Sequence, residues 1–252
     1  MGDELPKIDL DGIQVTRAGL EELVRTTQQA IRIPGRCRTI VAVNAHTFRE
    51  GRRSPEYRAA LNNAYISWAD GKPIEWAARV RGTPIAERIH GHDLMVRLLR
   101  EPFRHYFYGS TPQVLEAMKI ALPGVRIAGM ESPPFTRRVE RSDLTRINDS
   151  GADIVWVALG APKQELWAEL NRDRLKVPVV ACVGAAFEIV AGRFSRAPRW
   201  MQGLGLEWSW RMAQDPARLW RRYFSTNGYF LAYLMAQAGR RILGAGPKPS
   251  AC

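Results

Sequence analysis

The stretch DIVWVALGAPKQELW, residues 153–167, joins a run of apolar residues to a short turn and then to an amphipathic segment. An apolar run of this length, followed by a turn and a helix, is typical of a strand buried on both faces of a parallel sheet. The same order recurs along the chain. The sequence therefore predicts an α/β fold, with a mostly parallel sheet and helices on both faces.

Seven runs of apolar, β-branched or aromatic residues share the features of the first one. The predicted strands are 39–44, 105–110, 125–130, 153–160 and 177–184, with shorter ones at 8–10 and 66–70. The predicted helices are 17–31, 55–63, 73–81, 92–100, 112–121, 137–149 and 162–173.

The composition is that of a globular protein with a strong positive charge. The chain has 252 residues, of which 46% are hydrophobic and 25% charged, and its net charge of +12 favours anionic partners. Its three cysteines are scattered, so neither a disulfide framework nor a zinc site is indicated, and a reducing cytosol is expected. No secretion signal and no apolar run of about 20 residues is visible, so we expect no membrane-spanning helix.

The pattern changes after Gly192, where no further strand is predicted and Arg, Trp and Leu become frequent. Residues 193–222 contain seven Arg against two acidic residues, a large share of the net charge in a short segment. We therefore predict two parts, an α/β core at 1–194 and a helical, basic C-terminal appendage at 195–252.

Polar or glycine-rich turns follow the predicted strands and gather several side chains that could carry chemistry. In open parallel sheets the ligand crevice lies beyond the carboxyl ends of the strands. The residues predicted to lie along this edge are Asn44, Asp70, Gly109, Gln164 and Glu188.

Asp70 permits two interpretations from the local sequence. It follows a predicted strand and precedes a helix near Pro73, so its carboxylate could cap that helix. Alternatively it is a general base at the edge of the sheet, among basic neighbours.

Other short motifs give weaker indications. The turns 159–165 and 183–188 could bring backbone N–H groups to a phosphate, but neither matches a dinucleotide or P-loop motif, and small residues in such turns are often only turn residues. Asp9 and Asp11 form a D-x-D triplet that we interpret as structural. His90 and His92 have no third ligand at metal-binding spacing, so no metal site is predicted.

Over about residues 8 to 225, the chain resembles the bacterial WecG/TagA/CpsF glycosyltransferases. The resemblance depends on six segments in the order and spacing of that family. They are VNAHTF, WADGKPIEWAARVRGTPIAERIHGHDLM, FYGSTP, SGADIVWVALGAPKQELW, VGAAFEIVAGRFSRAPRWMQGLGLEW and QDPARLWRRY.

The resemblance implies a Rossmann-like core and an appendage that docks on the cytoplasmic face of the membrane. It implies an inverting transferase that uses no metal or other cofactor and takes a sugar from a UDP-sugar. The acceptor would be a polyprenyl-diphosphate-linked sugar, in the synthesis of teichoic acid, common antigen or exopolysaccharide. An anionic membrane surface would contact 195–243, and no nucleic acid would bind.

The resemblance also implies roles for individual residues. Asp70 matches the catalytic base, Asn44 the Asn of a Thr-x-Asn motif and Arg88 the Arg before a G-x-D-L turn, so we expect all three to be catalytic. The expected substrate-binding residues are Gly109, Gln164, Glu188, Arg211, Arg218 and Arg221. The last three match a group that handles the diphosphate.

Two positions depart from the family pattern, and the first of them leaves the donor or acceptor sugar open, while the second is a modest adjustment. Ala42 stands where the family has Thr, and Glu188 where Asp is commoner. Glucose, N-acetylmannosamine and its uronic acid are all possible donor sugars. Two other classes, a basic nucleic-acid-binding protein and a nicotinamide oxidoreductase, predict salt-sensitive nucleic-acid binding and NAD binding respectively.

Overall fold

The computed structural model describes residues 5–134 and 141–242, without the side chains of 141–143, 218, 222 and 241–242. Its strands are β1 Lys7–Leu10, β2 Ile13–Thr16, β3 Arg38–Val43, β4 Ile66–Ala69, β5 Arg104–Gly109, β6 Arg126–Glu131, β7 Ile154–Ala158 and β8 Val179–Cys182. They form one eight-stranded sheet in the order β1-β2-β4-β3-β8-β7-β5-β6. Every neighbouring pair is parallel except the hairpin β1–β2.

Helices cover both faces of this sheet. They are α1 Leu20–Arg32, α2 Ala45–Arg53, α3 Pro55–Asn62, α4 Lys72–Val80, α5 Gly91–Leu99, α6 Pro112–Ala121, α7 Arg141–Asp149, α8 Lys163–Asn171, α9 Ala186–Val190, α10 Arg199–Leu204, α11 Glu207–Gln214 and α12 Pro216–Ile242. The α/β fold predicted from the sequence is confirmed.

The central strands contribute to two separate apolar cores, one on each face, because successive side chains of a strand point in opposite directions. On β7, Val155 and Val157 belong to one core, while Ile154 and Trp156 belong to the other. Burial on both faces explains why these strands are continuous apolar runs in the sequence rather than alternating ones.

Three elements of the core were missing from the sequence prediction, and one helix was placed too early. β2, α2 and α9 were not predicted, and α1 begins at Leu20 rather than at 17 because residues 13–16 form the return strand of a hairpin. The predicted helix 137–149 corresponds to α7, and its first residues, 137–140, lie outside the described part.

α12 packs along the core that contains α2. Phe230 and Tyr233 are buried, and their ring centroids lie 5.6 and 4.9 Å from that of Phe48. Farther along, the Gln237 amide donates to Asp11 Oδ2 at 2.6 Å. One face of the appendage therefore belongs to the packed protein.

Candidate active site

The carboxyl ends of β3 and β4 lie side by side, and this places Asn44 next to Asp70. Val43 and Ala69 are register partners in the parallel pair, and the Asp70 N–H donates to the Val43 carbonyl at 2.8 Å. The next residue of each strand therefore enters the same crevice. The sequence prediction that these two residues meet at the edge of the sheet is confirmed.

Asn44 caps α2 and also holds Asp70. Its Oδ1 accepts from the backbone N–H groups of His46 and Thr47, at 3.0 and 3.1 Å. These bonds leave the amide nitrogen free to donate, and Nδ2 lies 3.3 Å from Asp70 Oδ2. The cap thus fixes which end of the Asn44 amide faces the carboxylate.

Asp70 does not cap the helix that follows it. α4 begins at Lys72, and its N-cap is Gly71, at φ 92°, with no side-chain capping bond. The capping interpretation of Asp70 was therefore wrong. Its carboxylate contacts Asn44 on one oxygen and His90 Nδ1, at 3.3 Å, on the other. Because a carboxylate has about four acceptor positions, each oxygen can accept a further hydrogen bond.

His90 lies between two carboxylates. The loop that carries it returns to the end of β4, where the Ile89 N–H donates to the Ala69 carbonyl at 2.9 Å. Nδ1 faces Asp70 and Nε2 lies 3.0 Å from Glu207 Oε2. Burial lowers the pKa of His90, but hydrogen bonds and charge from Asp70 and Glu207 outweigh it and raise that pKa to about 9. The ring is therefore an imidazolium at neutral pH.

Arg88 and Glu207 complete the cluster. Arg88 Nη1 donates to Glu207 Oε2 at 2.7 Å and lies 3.2 Å from His90 Nε2. Because a protonated His90 donates from both nitrogens, the Arg88–His90 contact is one between two cations that share the Glu207 carboxylate. Burial raises the pKa of Glu207, but His90 and Arg88 lower it further than burial raises it, so this carboxyl is ionised.

Sequence reasoning missed both His90 and Glu207. His90 was considered only as half of a metal pair with His92, and Glu207 only as an acid within a basic segment. Their positions depend on the return of the loop to β4 and on the docking of α11, which no local pattern specifies. Both do fall within the segments that carry the family resemblance.

The loop that carries Arg88 and His90 also crosses toward β8. A Cβ added at Gly91 would lie 3.3 Å from the Val183 carbonyl oxygen, so the backbones approach closely here. Gln164 borders the next turn, since a Cβ on Gly184 would lie 3.7 Å from its amide atoms. The edge of the sheet is thus continuous from Asp70 to Gln164.

The predicted substrate-binding residues of the core occupy other strand ends. Gln164 is buried and donates from Nε2 to Glu165 Oε1 at 2.7 Å, while its Oε1 has no hydrogen-bond partner among the residues that the structure describes. Glu188 faces Arg193 Nε at 3.6 Å. Gly109 ends β5 at φ 123°, where a Cβ would lie 2.6 Å from the Ala158 backbone. Among the described contacts, none joins these three residues to Asp70, and their binding roles remain predictions.

The three arginines of the appendage that were predicted to bind substrate lie on two helices and have different neighbours. Arg211 lies four residues after Glu207 on α11, so both side chains leave the same face of that helix. The Arg221 guanidinium lies 5.3 Å from the centre of the Trp220 ring. Arg218 lies on α12, and its side chain is outside the described part.

Asp9 and Asp11 have structural partners, as predicted. Asp9 accepts from Gly12 N and Gln14 Nε2, at 3.0 and 2.9 Å, within the β1–β2 hairpin. Asp11 accepts from Arg81 Nη1 at 2.5 Å and from Gln237. The triplet therefore stabilises the hairpin and the contact with α12.

Ala42, where the resemblance leads one to expect Thr, belongs to the apolar core that also contains Trp68. Its carbonyl accepts from Thr47 Oγ1 at 3.1 Å, so a hydroxyl is present beside it on the next helix.

A parallel α/β sheet with a carboxylate at the carboxyl edge, surrounded by cationic side chains, is typical of enzymes that act on anionic substrates. The sequence profile described as "Glycosyl transferase WecG/TagA/CpsF family" matches residues 8–243. The chain therefore belongs to this family and is a glycosyltransferase. Of the three classes weighed from the sequence, family membership selects this one.

A curated relative from Bacillus spizizenii is 33% identical over 77% of this chain and 78% of its own length. It is named N-acetylglucosaminyldiphosphoundecaprenol N-acetyl-beta-D-mannosaminyltransferase. In 5–134 and 141–242, none of the helices combines the length and the apolar character that crossing a bilayer requires.

Proposed function

We propose that this enzyme transfers N-acetylmannosamine from a UDP-sugar to an N-acetylglucosamine carried on a polyprenyl diphosphate. The name of the relative supports both the sugar and the acceptor. The observation that carries the mechanism is the Asp70 carboxylate, which is held by Asn44 and His90 at the carboxyl edge of the sheet.

The reaction is a single displacement at the anomeric carbon. Asp70 accepts the proton of the acceptor hydroxyl while that oxygen forms the new glycosidic bond. On the opposite face of the sugar, the bond to the UDP oxygen breaks and its electron pair leaves with UDP. Asp70 is well placed as the base because its side chain is 26% exposed and each oxygen retains an acceptor position.

The departing diphosphate gains negative charge that the protein must stabilise. The residue that we assign to this task is Arg211, which leaves the face of α11 that carries Glu207, whereas Arg88 and His90 are paired with carboxylates on the side of the base. An Arg guanidinium suits this task because its planar fork can donate two hydrogen bonds to phosphate oxygens.

Release of UDP from a panel of donors tests the proposed function. We expect release from UDP-N-acetylmannosamine with a short-chain lipid-diphosphate N-acetylglucosamine acceptor, and little release when the acceptor is omitted. The matched donors are UDP-glucose, UDP-N-acetylglucosamine and the uronic acid of UDP-N-acetylmannosamine. Acceptor-dependent release from one of these alone would overturn the proposed sugar, and release from none of the four would overturn the proposed function.

We further propose that the appendage docks on the cytoplasmic face of the membrane. α12 carries a stripe of exposed apolar side chains at helical spacing, opposite the buried Phe230 and Tyr233. Its members are Trp220, Phe224, Leu231 and Met235, with exposed fractions of 47, 72, 61 and 68%. Such a helix can lie in the interface while nearby Arg residues meet anionic headgroups.

Replacing both Phe224 and Leu231 by Ser should weaken binding to anionic phospholipid vesicles by about tenfold or more, because each large apolar side chain contributes about 1.5–3 kcal/mol when fully buried. Cosedimentation measures this. The control replaces Ile120 and Leu170, which are 76 and 73% exposed on core helices. Equal loss in both double variants, or no loss in the first, would contradict docking through α12.

A further inference from the structure

The His90 side chain lies between Glu207 of the appendage and the Asp70 carboxylate. Glu207, the first residue of α11, contacts Arg88 and His90 at 2.7 and 3.0 Å. His90 contacts Asp70 at 3.3 Å through its other nitrogen. The chain Glu207–His90–Asp70 therefore links a helix of the appendage to the end of β4.

We propose that Glu207 and His90 are positioning residues that couple docking of the appendage to the orientation of Asp70. The proposal deepens the proposed function and rests on it for the role of Asp70. Glu207 fixes the imidazolium ring, and the ring fixes the carboxylate toward the acceptor.

Two hydrogen bonds are what orient the ring. An imidazolium donates from both nitrogens, so a carboxylate on each side holds the ring plane and its rotation. With Asn44 on the other oxygen, the Asp70 carboxylate is then held at both ends. Without Glu207 the ring keeps one acceptor and can turn, and Asp70 loses a fixed donor.

The docking of α11 is itself closely constrained. Gly205 links α10 to α11 at φ 75°, a left-handed conformation that favours glycine. A Cβ added there would lie 3.0 Å from Lys72 Cβ and 3.2 Å from Trp76. The turn before Glu207 therefore rests on the first helical turn after Asp70, and the two ends of the linkage are held in register.

The charges around His90 give the linkage a pH dependence. Asp70 at the end of β4, Glu207 on α11 and Asp93 on α5 favour the protonated ring, while Arg88 on the same loop opposes it. Because the folded-state pKa, about 9, is raised above the ordinary value of 6.5, the stabilisation of the docked appendage is fully present below pH 6.5. It is lost as the pH rises through about 9.

The test uses the full-length chain and the variants Glu207→Gln, Glu207→Asp and His90→Gln. We expect Glu207→Gln to lower kcat by about 10- to 100-fold with a smaller change in KM for the UDP-sugar, since misplacement by about 1 Å can cost that much. Glu207→Asp should recover part of the loss because it keeps the charge. The control, Gln237→Met, breaks another contact between appendage and core, far from Asp70, and should keep the wild-type kcat.

NMR titration of the His90 ring tests the linkage without an assay of turnover. The ring signal is assigned as the one that is absent from the spectrum of His90→Gln. We expect the wild-type ring to titrate near pH 9 and the Glu207→Gln ring to titrate at least about one unit lower. An unperturbed wild-type titration, a titration unchanged by Glu207→Gln, or wild-type kcat in that variant would each overturn the proposal. If no donor supports transfer but the titrations behave as expected, the proposed function fails and the linkage stands.

Discussion

Replacing Asp70 by Asn is expected to lower kcat by about 10²–10⁴-fold, the usual contribution of a general acid or base. The amide keeps the size of the carboxylate, and one of its ends can still meet Asn44 or His90. It cannot accept the proton of the acceptor hydroxyl. Binding of UDP should remain close to wild type, because the predicted nucleotide contacts lie elsewhere along the edge of the sheet.

Turnover and UDP affinity are measured on the same preparation, by UDP release and by equilibrium titration. The control is Glu75→Gln, which removes a carboxylate on the next helix that pairs with Lys72 and Arg79. It should leave kcat nearly unchanged. Near-normal turnover in Asp70→Asn would remove this residue from its role as base.

Replacing Arg211 by Ala is expected to lower kcat by about 10²–10³-fold, equivalent to about 2.7–4 kcal/mol, which is typical for the loss of one preorganised donor to developing negative charge. The expectation follows from α11, where Glu207 already touches the active site and Arg211 leaves the same face one turn later. The kcat of Arg211→Lys should lie between those of the wild type and Arg211→Ala, since Lys keeps the charge but not the bidentate fork.

The assay for Arg211 uses a short-chain acceptor in solution, so that attraction to a membrane does not contribute. The control is Arg240→Ala, which removes an exposed arginine near the end of α12 and should have little effect. A wild-type kcat in Arg211→Ala would show that the appendage does not contribute this guanidinium to the leaving group.

The sequence predicted the central strands well because they are buried on both faces. Apart from Asp153, runs such as 153–160 and 177–184 contain no charged residue, and the helices between them indicate parallel crossovers. The meeting of Asn44 and Asp70 followed from the same logic, since parallel strands end at the same edge of the sheet.

The missed elements have short or polar sequences. β2 has four residues, and its hairpin turns at Asp11-Gly12, both at positive φ. An Asp-Gly pair is a sequence signal for such a two-residue turn. Four of the nine residues of α2 are charged and the helix shows little apolar period, although Asn44 and Thr47 form a capping box at its start. The turn and capping residues therefore indicate β2 and α2 in the sequence itself.

The places of His90 and Glu207 beside the active site could not be predicted because they depend on tertiary packing. His90 is about 20 residues away and Glu207 is in the appendage, and each is brought in by the packing of a loop or helix on the end of β4. The opposite charges of His90 and Glu207 indicate an interaction only when the fold has brought the two side chains together. A lone histidine in the sequence gave no sign that two carboxylates would raise its pKa.

The anomeric configuration of the product tests the central claim most directly. With an α-linked UDP-N-acetylmannosamine donor, a single displacement with Asp70 as base predicts a β-linked product, which the one-bond carbon–proton coupling at the anomeric centre reports. A product with the α configuration would mean retention at the anomeric carbon, which a single displacement opposite the leaving group cannot give, and it would contradict the mechanism proposed for Asp70.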